Sequence, residues 1–257
     1  MGEKVILISI DGMRPDGLRQ CGNPFLQEME KRCAYTYTGH TVYPSVTLPC
    51  HMSMFHSVCP ERHGIVTNDY APMVRPVKGI FEKCSGADQI CAMYYGWEPL
   101  RNIAEPGSLK FSRYINAYME ESSDTMLTDA AMADISRYHP DFVFLYMVET
   151  DEKGGHDNGW MSEAYLQRIS TGISNVQRVM EAFGDDYSII LTADHGGHDR
   201  AHGTDMPEDM TIPLFFYGKD FTPGQHLENV SILDIAPTIM HIFGMKPERE
   251  WEGKSLI

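Results

Sequence analysis

Asp11, Asp151 and Asp194 each stand at, or just beyond, the end of an apolar run: Val5–Ile10, Phe142–Val148 and Tyr187–Leu191. Three histidines stand near them, His156 in Asp151-Glu-Lys-Gly-Gly-His156 and both His195 and His202 in Thr192-Ala-Asp194-His195-Gly-Gly-His198-Asp-Arg-Ala-His202-Gly203. Carboxylate oxygens and imidazole nitrogens are ligands for zinc-class divalent ions, and three of each suffice for two ions with positions left open to a substrate. A single Asp-His pair would be ordinary hydrogen bonding at a strand end; the count points to metal. His198 shares the third loop and competes for a ligand role. Gly12, Gly154, Gly155, Gly196 and Gly203 flank the ligands and allow tight folding of the loops. A purely structural zinc site would be closed by four ligands, more often thiolates, and the six cysteines lie elsewhere in the chain. A nucleophile is the remaining need. Ser45 and Thr47, in Tyr43-Pro-Ser-Val-Thr47-Leu-Pro49-Cys-His51, read as helix caps, or Thr47 as a hydroxyl aimed at a metal; the residues alone leave both readings open. His51, His56 and His63, near the helix that follows, read as packing or capping groups.

The three aspartates can meet only if their runs are neighbouring parallel strands, whose carboxyl ends lie on one edge of a sheet. Each run has the continuous apolar character of a strand covered on both faces. Further strands are expected over 33–41, 89–95 and 212–217, and helices over 23–32, 77–83, 123–138, 161–183 and 232–243; in the long helix Tyr165, Ile169, Ile173, Val176, Val179 and Met180 recur every three or four residues. Strands alternating with helices predict an α/β fold, a three-layer sandwich around a mostly parallel central sheet. No linker divides the chain. The reading is one domain over 1–257, with 64–125 as a small cap region.

Composition narrows the partners. A formal charge of −15, with no Lys/Arg cluster, argues against a grip on a nucleic-acid polymer. No apolar run has the length of a membrane span. Met-Gly-Glu-Lys before the first strand is too short for a secretion signal, and six cysteines without a Cys-x-x-Cys pair read as reduced thiols, which places the protein in the cytoplasm.

Five segments, in order, carry a resemblance: Ile8-Ser-Ile-Asp11-Gly-Met-Arg14-Pro-Asp; Pro44-Ser-Val-Thr47-Leu-Pro49-Cys-His51; Pro60-Glu-Arg-His63-Gly-Ile; Tyr146-Met-Val-Glu-Thr-Asp151 with Gly155-His156; and Thr192-Ala-Asp194-His195-Gly with His202-Gly203. Along nearly its whole length the chain resembles the alkaline phosphatase superfamily, in its type I nucleotide pyrophosphatase/phosphodiesterase branch. The resemblance implies an alkaline phosphatase-like fold and two divalent ions, zinc above all, with manganese or another divalent ion as the alternative. It implies one ion held by Asp151, His156 and His202, and the other by Asp11, Asp194, His195 and the Thr47 oxygen. Thr47 takes the attacking position. Implied further is hydrolysis of a small-molecule phosphate ester, a phosphodiester or nucleotide pyrophosphate, through a phospho-threonine intermediate. Three departures stand out: Asp151 and His156 are one residue further apart than in the pattern, Cys50 replaces an Asn that contacts a phosphoryl oxygen, and Leu48 replaces an aromatic that stacks on a base. Tyr146 matches a position that packs against a base, so Leu48, Cys50 and Tyr146 are the candidate substrate contacts. A sulfatase of this fold needs Cys or Ser where this chain has Thr47. A phosphomonoesterase or phosphotransferase is the enzymatic alternative, and a metal-stabilised binding protein without turnover the non-enzymatic one. The sequence leaves the oligomeric state open.

Overall fold

Every residue of Val5–Ile10 (β1) is buried, as a run with no polar face requires. The computed structural model describes residues 3–257. β1 lies in the middle of a seven-stranded sheet whose other strands are Ala34–His40 (β2), Cys91–Tyr95 (β3), Phe111–Tyr114 (β4), Phe142–Met147 (β5), Ser188–Thr192 (β6) and Thr211–Tyr217 (β7). The order across the sheet is β2-β7-β6-β1-β5-β3-β4. β6, β1, β5, β3 and β4 are parallel neighbours. β7 alone runs against the rest, antiparallel to both β6 and β2.

The helices are Pro15–Gln20 (α1), Phe25–Arg32 (α2), Thr47–His56 (α3), Pro60–His63 (α4), Ile80–Ser85 (α5), Ser123–Tyr138 (α6), Glu163–Phe183 (α7), Pro207–Met210 (α8) and Ile235–Ile242 (α9). Strand periodicity sorts them into two layers. Ile10 packs under Gly172 of α7. Phe144 and Tyr146, in register with Leu7 and Ser9, meet Phe55 and His51 of α3 from the other face. Alternate residues of the central strands thus face opposite layers. α1, α2 and α6 pack around α7; α5 and α9 pack with α3.

Three local differences from the sequence reading have physical causes. α7 starts at Glu163 rather than at 161, because Met161 takes φ +67° and Ser162 is an extended N-cap whose side chain accepts from Tyr165 N–H at 3.2 Å. The closing helix is split into a 3₁₀ turn, Ile232–Asp234, and α9, with Ser231 and Asp234 capping each other's backbone. Within the region 64–125, the expected strand (β3) is joined at the sheet edge by β4, which is too short and too exposed to show a strand's alternation.

Candidate two-metal site

β6, β1 and β5 are adjacent and parallel, so Asp194, Asp11 and Asp151 emerge side by side on one sheet edge. His195 Nε2 lies 3.3 Å from Asp11 Oδ1 and 3.4 Å from Asp194 Oδ2. The Thr47 hydroxyl is 3.2 Å from the same nitrogen. His156 Nε2 is 3.3 Å from Asp151 Oδ2, and His202 Nε2 is 4.0 Å from Asp151 Oδ1. Two groups of ligand atoms result, Asp11-Asp194-His195 and Asp151-His195-His202, the atoms within each lying no more than 4.8 Å apart. His195 stands between the groups, its ring stacked on that of His202 with centroids 3.9 Å apart. His156 joins the second group through Asp151.

The residues fit a pair of cations. Asp11 Oδ1, Asp151 Oδ1 and Asp194 Oδ2 are buried without a hydrogen-bond donor, and these are the oxygens that face imidazole nitrogens. Buried anions in that condition cost several kcal/mol each unless a cation or proton offsets them. The imidazoles are oriented to match: Nδ1 of His195, His156 and His202 lies 2.7, 3.0 and 2.9 Å from the carbonyls of Gly196, Arg200 and Ser45. A carbonyl there takes the Nδ1 proton and leaves the Nε2 lone pair for an ion. Electrostatics record the same crowding. Burial, then the charges of Asp194 and Asp151, push the Asp11 carboxyl well up, and burial followed by Asp151 raises Asp194 to about 8. Burial also raises Asp151, but the His156 hydrogen bond and the neighbouring histidines outweigh it and hold this carboxyl low. His195 is driven well down by burial and by His202.

The one-residue excess between Asp151 and His156 is absorbed by a π-helical turn, Thr150–His156. In an α-helix residues five apart diverge, whereas the wider π turn closes at that spacing and brings both ligands to one side. Gly12 makes room for the result: at φ +65°, a Cβ there would lie 2.8 Å from Asp151 Oδ1.

Thr47 is the first residue of α3, and the N-cap, Val46, makes no side-chain cap hydrogen bond. The hydroxyl of Thr47 is therefore free for chemistry, while Ser45 Oγ donates to Thr204 O at 2.7 Å. His51, one turn on, places Nδ1 2.8 Å from the Thr47 carbonyl and is fully buried, which lowers its pKa to about 4 and keeps it neutral. The sequence reading missed Asn68. Its Oδ1 accepts from the Leu48 N–H at 3.0 Å, which brings a carboxamide to the start of α3 beside Thr47; nothing in the irregular stretch Thr67-Asn-Asp-Tyr70 signals this.

The expected substrate contacts Leu48, Cys50 and Tyr146 have no exposed surface. Cys50 Sγ meets Thr41 Oγ1 at 3.2 Å, and the Tyr146 hydroxyl donates to Asp11 Oδ2. All of α3 is buried, so side chains following Thr47 point into packing rather than toward a ligand. His198 belongs to neither ligand group. Its Nδ1 is 2.7 Å from Asp209 Oδ1, and Asp209 Oδ2 accepts from Thr204 N–H and Oγ1, bracing the loop that carries His195 and His202.

The chain belongs to the metalloenzyme superfamily, whose family model matches residues 111–247. The model for type I phosphodiesterase / nucleotide pyrophosphatase matches residues 5–89. Its fold is the alkaline phosphatase-like fold of the nucleotide pyrophosphatase/phosphodiesterase branch. Human ectonucleotide pyrophosphatase / phosphodiesterase 5 superposes with TM-score 0.83 at 14% identity, covering 98% of this chain and 97% of that one. A phosphonate monoester hydrolase from Silicibacter pomeroyi gives 0.80 at 16% identity, covering 99% and 76%. In sequence, mouse ectonucleotide pyrophosphatase/phosphodiesterase family member 1 is 24% identical over 74% of this chain and 24% of its own length. A phosphopentomutase from Carboxydothermus hydrogenoformans is 28% identical over 46% of this chain and 31% of its own. The chain thus spans about a quarter to a third of the curated relatives it matches. No helix among the described residues is long and apolar enough to cross a membrane.

Proposed function

We propose that this chain hydrolyses phosphate esters, phosphodiesters or nucleotide pyrophosphates foremost, by double displacement through Thr47. The observation that carries this reading is the Thr47 hydroxyl, free of capping and 3.2 Å from His195 Nε2, at the edge of two donor-poor carboxylate groups. Asp11, Asp194, His195 and Thr47 would hold one divalent ion and Asp151, His156 and His202 the other, zinc in this reading; bound there, the ions lower the pKa of the hydroxyl and offset charge on the transferring phosphoryl group.

Thr47 Oγ1 attacks phosphorus in line, the bond to the leaving oxygen breaks with that oxygen taking up the hydroxyl proton through solvent, and a phospho-threonine remains; water then attacks that phosphorus, its oxygen stays on the phosphate, the bond to Thr47 Oγ1 breaks and a water proton returns to Thr47. The phosphoryl group would meet the N-terminus of α3, where the Thr47 N–H is the one left open, since Leu48 N–H donates to Asn68 Oδ1, Pro49 has none and Cys50 N–H donates to Val46 O. With its Oδ1 held by Leu48 N–H, Asn68 would have its carboxamide N–H₂ left to donate to the same oxygens. His51 fixes the Thr47 carbonyl, so the nucleophile is set by the helix rather than by a mobile loop. A murine relative, ectonucleotide pyrophosphatase / phosphodiesterase 5, is described as inactive after a threonine-to-alanine exchange and in complex with AMP, which supports the assignment of a threonine nucleophile.

Burial of Leu48 and Tyr146 favours a second reading, monoester hydrolysis or phosphoryl transfer, because a slot for a base would lack both expected walls. All six cysteines are free thiols, which supports a reducing, cytoplasmic setting as part of the proposal. The test compares bis(p-nitrophenyl) phosphate with p-nitrophenyl phosphate on metal-loaded protein, alongside a chelated sample and Thr47→Ala. Diester preference lost in both controls is the expected result, with Thr47→Ala still binding metal by calorimetry. Monoester preference moves the function to the second reading. Metal binding without turnover of either ester would make this a binding protein.

A further inference from the structure

The sheet brings three strand ends together, yet the Asp and His ligands all lie in the connections beyond those strands, Asp151 and His156 in the π turn after β5, so something else must set the spacing between these connections. We propose that Trp160 is this positioning residue, a wedge that touches all three ligand-bearing loops. The inference rests on the two-metal reading of the site and extends it to a residue that binds neither metal nor substrate.

Toward the loop after β1, the indole N–H donates to the Gly12 carbonyl at 3.0 Å, one residue from Asp11. Toward the loop after β5, the ring lies edge-to-face on His156, with centroids 5.2 Å apart and planes at 85°, and it occupies the space over Gly155. Toward the loop after β6, it covers Gly197 and stands 6.0 Å from the ring of His202, while its backbone N–H donates to Asp199 O at 2.8 Å. The glycines show how closely the wedge fits. A Cβ would meet the ring at 2.6 Å from Gly155 and at 2.2 Å from Gly197, so no other residue is accommodated at either place while the indole stays. Trp160 itself is held just ahead of the Ser162 cap of α7 and is 7% exposed. It therefore transmits the rigid start of a 21-residue helix to two imidazoles that aim at one ion. The fit also explains why Gly155 and Gly197 occur where no tight turn demands them, since neither has a positive φ.

Metal-free wild type, Trp160→Phe and Trp160→Ala are titrated with zinc chloride, read by calorimetry, by tryptophan emission and by the melting temperature of the metal-free form. Wild type should bind two ions, with a change in emission that Trp160→Phe abolishes, since of the three tryptophans Trp160 is the one packed on ligand imidazoles, whereas Trp97 opens the 3₁₀ turn after β3 and Trp251 donates to Lys78 O. Trp160→Ala should weaken zinc binding by ~10–100-fold, the usual loss when a partner that orients ligands is removed. Trp160→Phe, which keeps an aromatic wedge, should restore near wild-type affinity. Should the alanine variant fail to fold, Trp160→Leu, buried but too short to reach both glycines, must show the same loss. Unchanged zinc affinity in a variant whose metal-free melting temperature has fallen would reduce Trp160 to core packing and overturn the proposal. Zinc bound by none of the proteins, wild type included, would overturn the two-metal reading along with it.

Discussion

Each imidazole of the site is turned by a backbone carbonyl, and each of the three carboxylates keeps one oxygen without a donor. That division of labour is what separates a metal ligand from a histidine that merely pairs with an aspartate, as His198 does with Asp209. Residue types at strand ends were legible in the sequence because each carboxylate follows an uninterrupted apolar run. Direction was not: Leu48, Cys50 and Tyr146 share segments with the proposed site residues, yet all three are fully buried. Asn68 was hidden for the opposite reason, since it reaches the site from a stretch with no periodicity to read. Its role gives a clean prediction. Asn68→Ala should lower kcat by ~10²–10³, the usual effect of losing one donor to a developing oxyanion, while zinc affinity by calorimetry stays as in wild type; an unchanged kcat would remove Asn68 from the phosphoryl site.

At the scale of elements, two short pieces of backbone do work that hydrophobic patterning cannot announce. β4, Phe-Ser-Arg-Tyr at the sheet edge, is largely exposed and too short to show alternation. The π turn Thr150–His156 is signalled only by one residue more than the family spacing, a surplus that a flexible Gly-Gly loop could equally have taken up. The turn makes the distinction testable. Deleting Gly154 returns the family spacing, so Asp151 and His156, then four apart, fall on one face of an α-helical turn and zinc stoichiometry should stay at two. Inserting an alanine beside Gly154 places them six apart, where neither an α nor a π turn closes, so that stoichiometry should fall to one while the Asp11-Asp194-His195 group still binds; two ions bound by the insertion variant would mean that the segment behaves as a loop and that the π geometry is incidental. The long helix α7 and the buried strands, by contrast, were legible from side-chain spacing, because burial of one face or of both leaves a period in the sequence.

Taken whole, the molecule assembles negative charge in its own interior. Burial, with Asp151 second, raises Asp194 to about 8, and Asp11 moves the same way. In the unfolded chain such groups ionise near pH ~3.9, so the metal-free fold binds more protons than the unfolded chain between about pH 4 and 8. Its stability must fall as pH rises through that window, and cations at the site should abolish the fall. Melting curves from pH 5 to 8.5 should show chelated protein losing stability toward the alkaline end while the zinc-loaded form does not, the gap widening with pH; a gap independent of pH would contradict the assignment. The sheet order has a different consequence, for biosynthesis. β1 pairs with β5 and β6 and with no strand nearer in sequence. On the ribosome its six apolar-rich residues must therefore wait, unpaired, until residue 147 has emerged, and the site stays incomplete until His202 follows. Such late, long-range pairing is slow and leaves strand edges open to misassembly. Loading of the metals is then the last step of maturation, available only to a chain that has already paired its central strands.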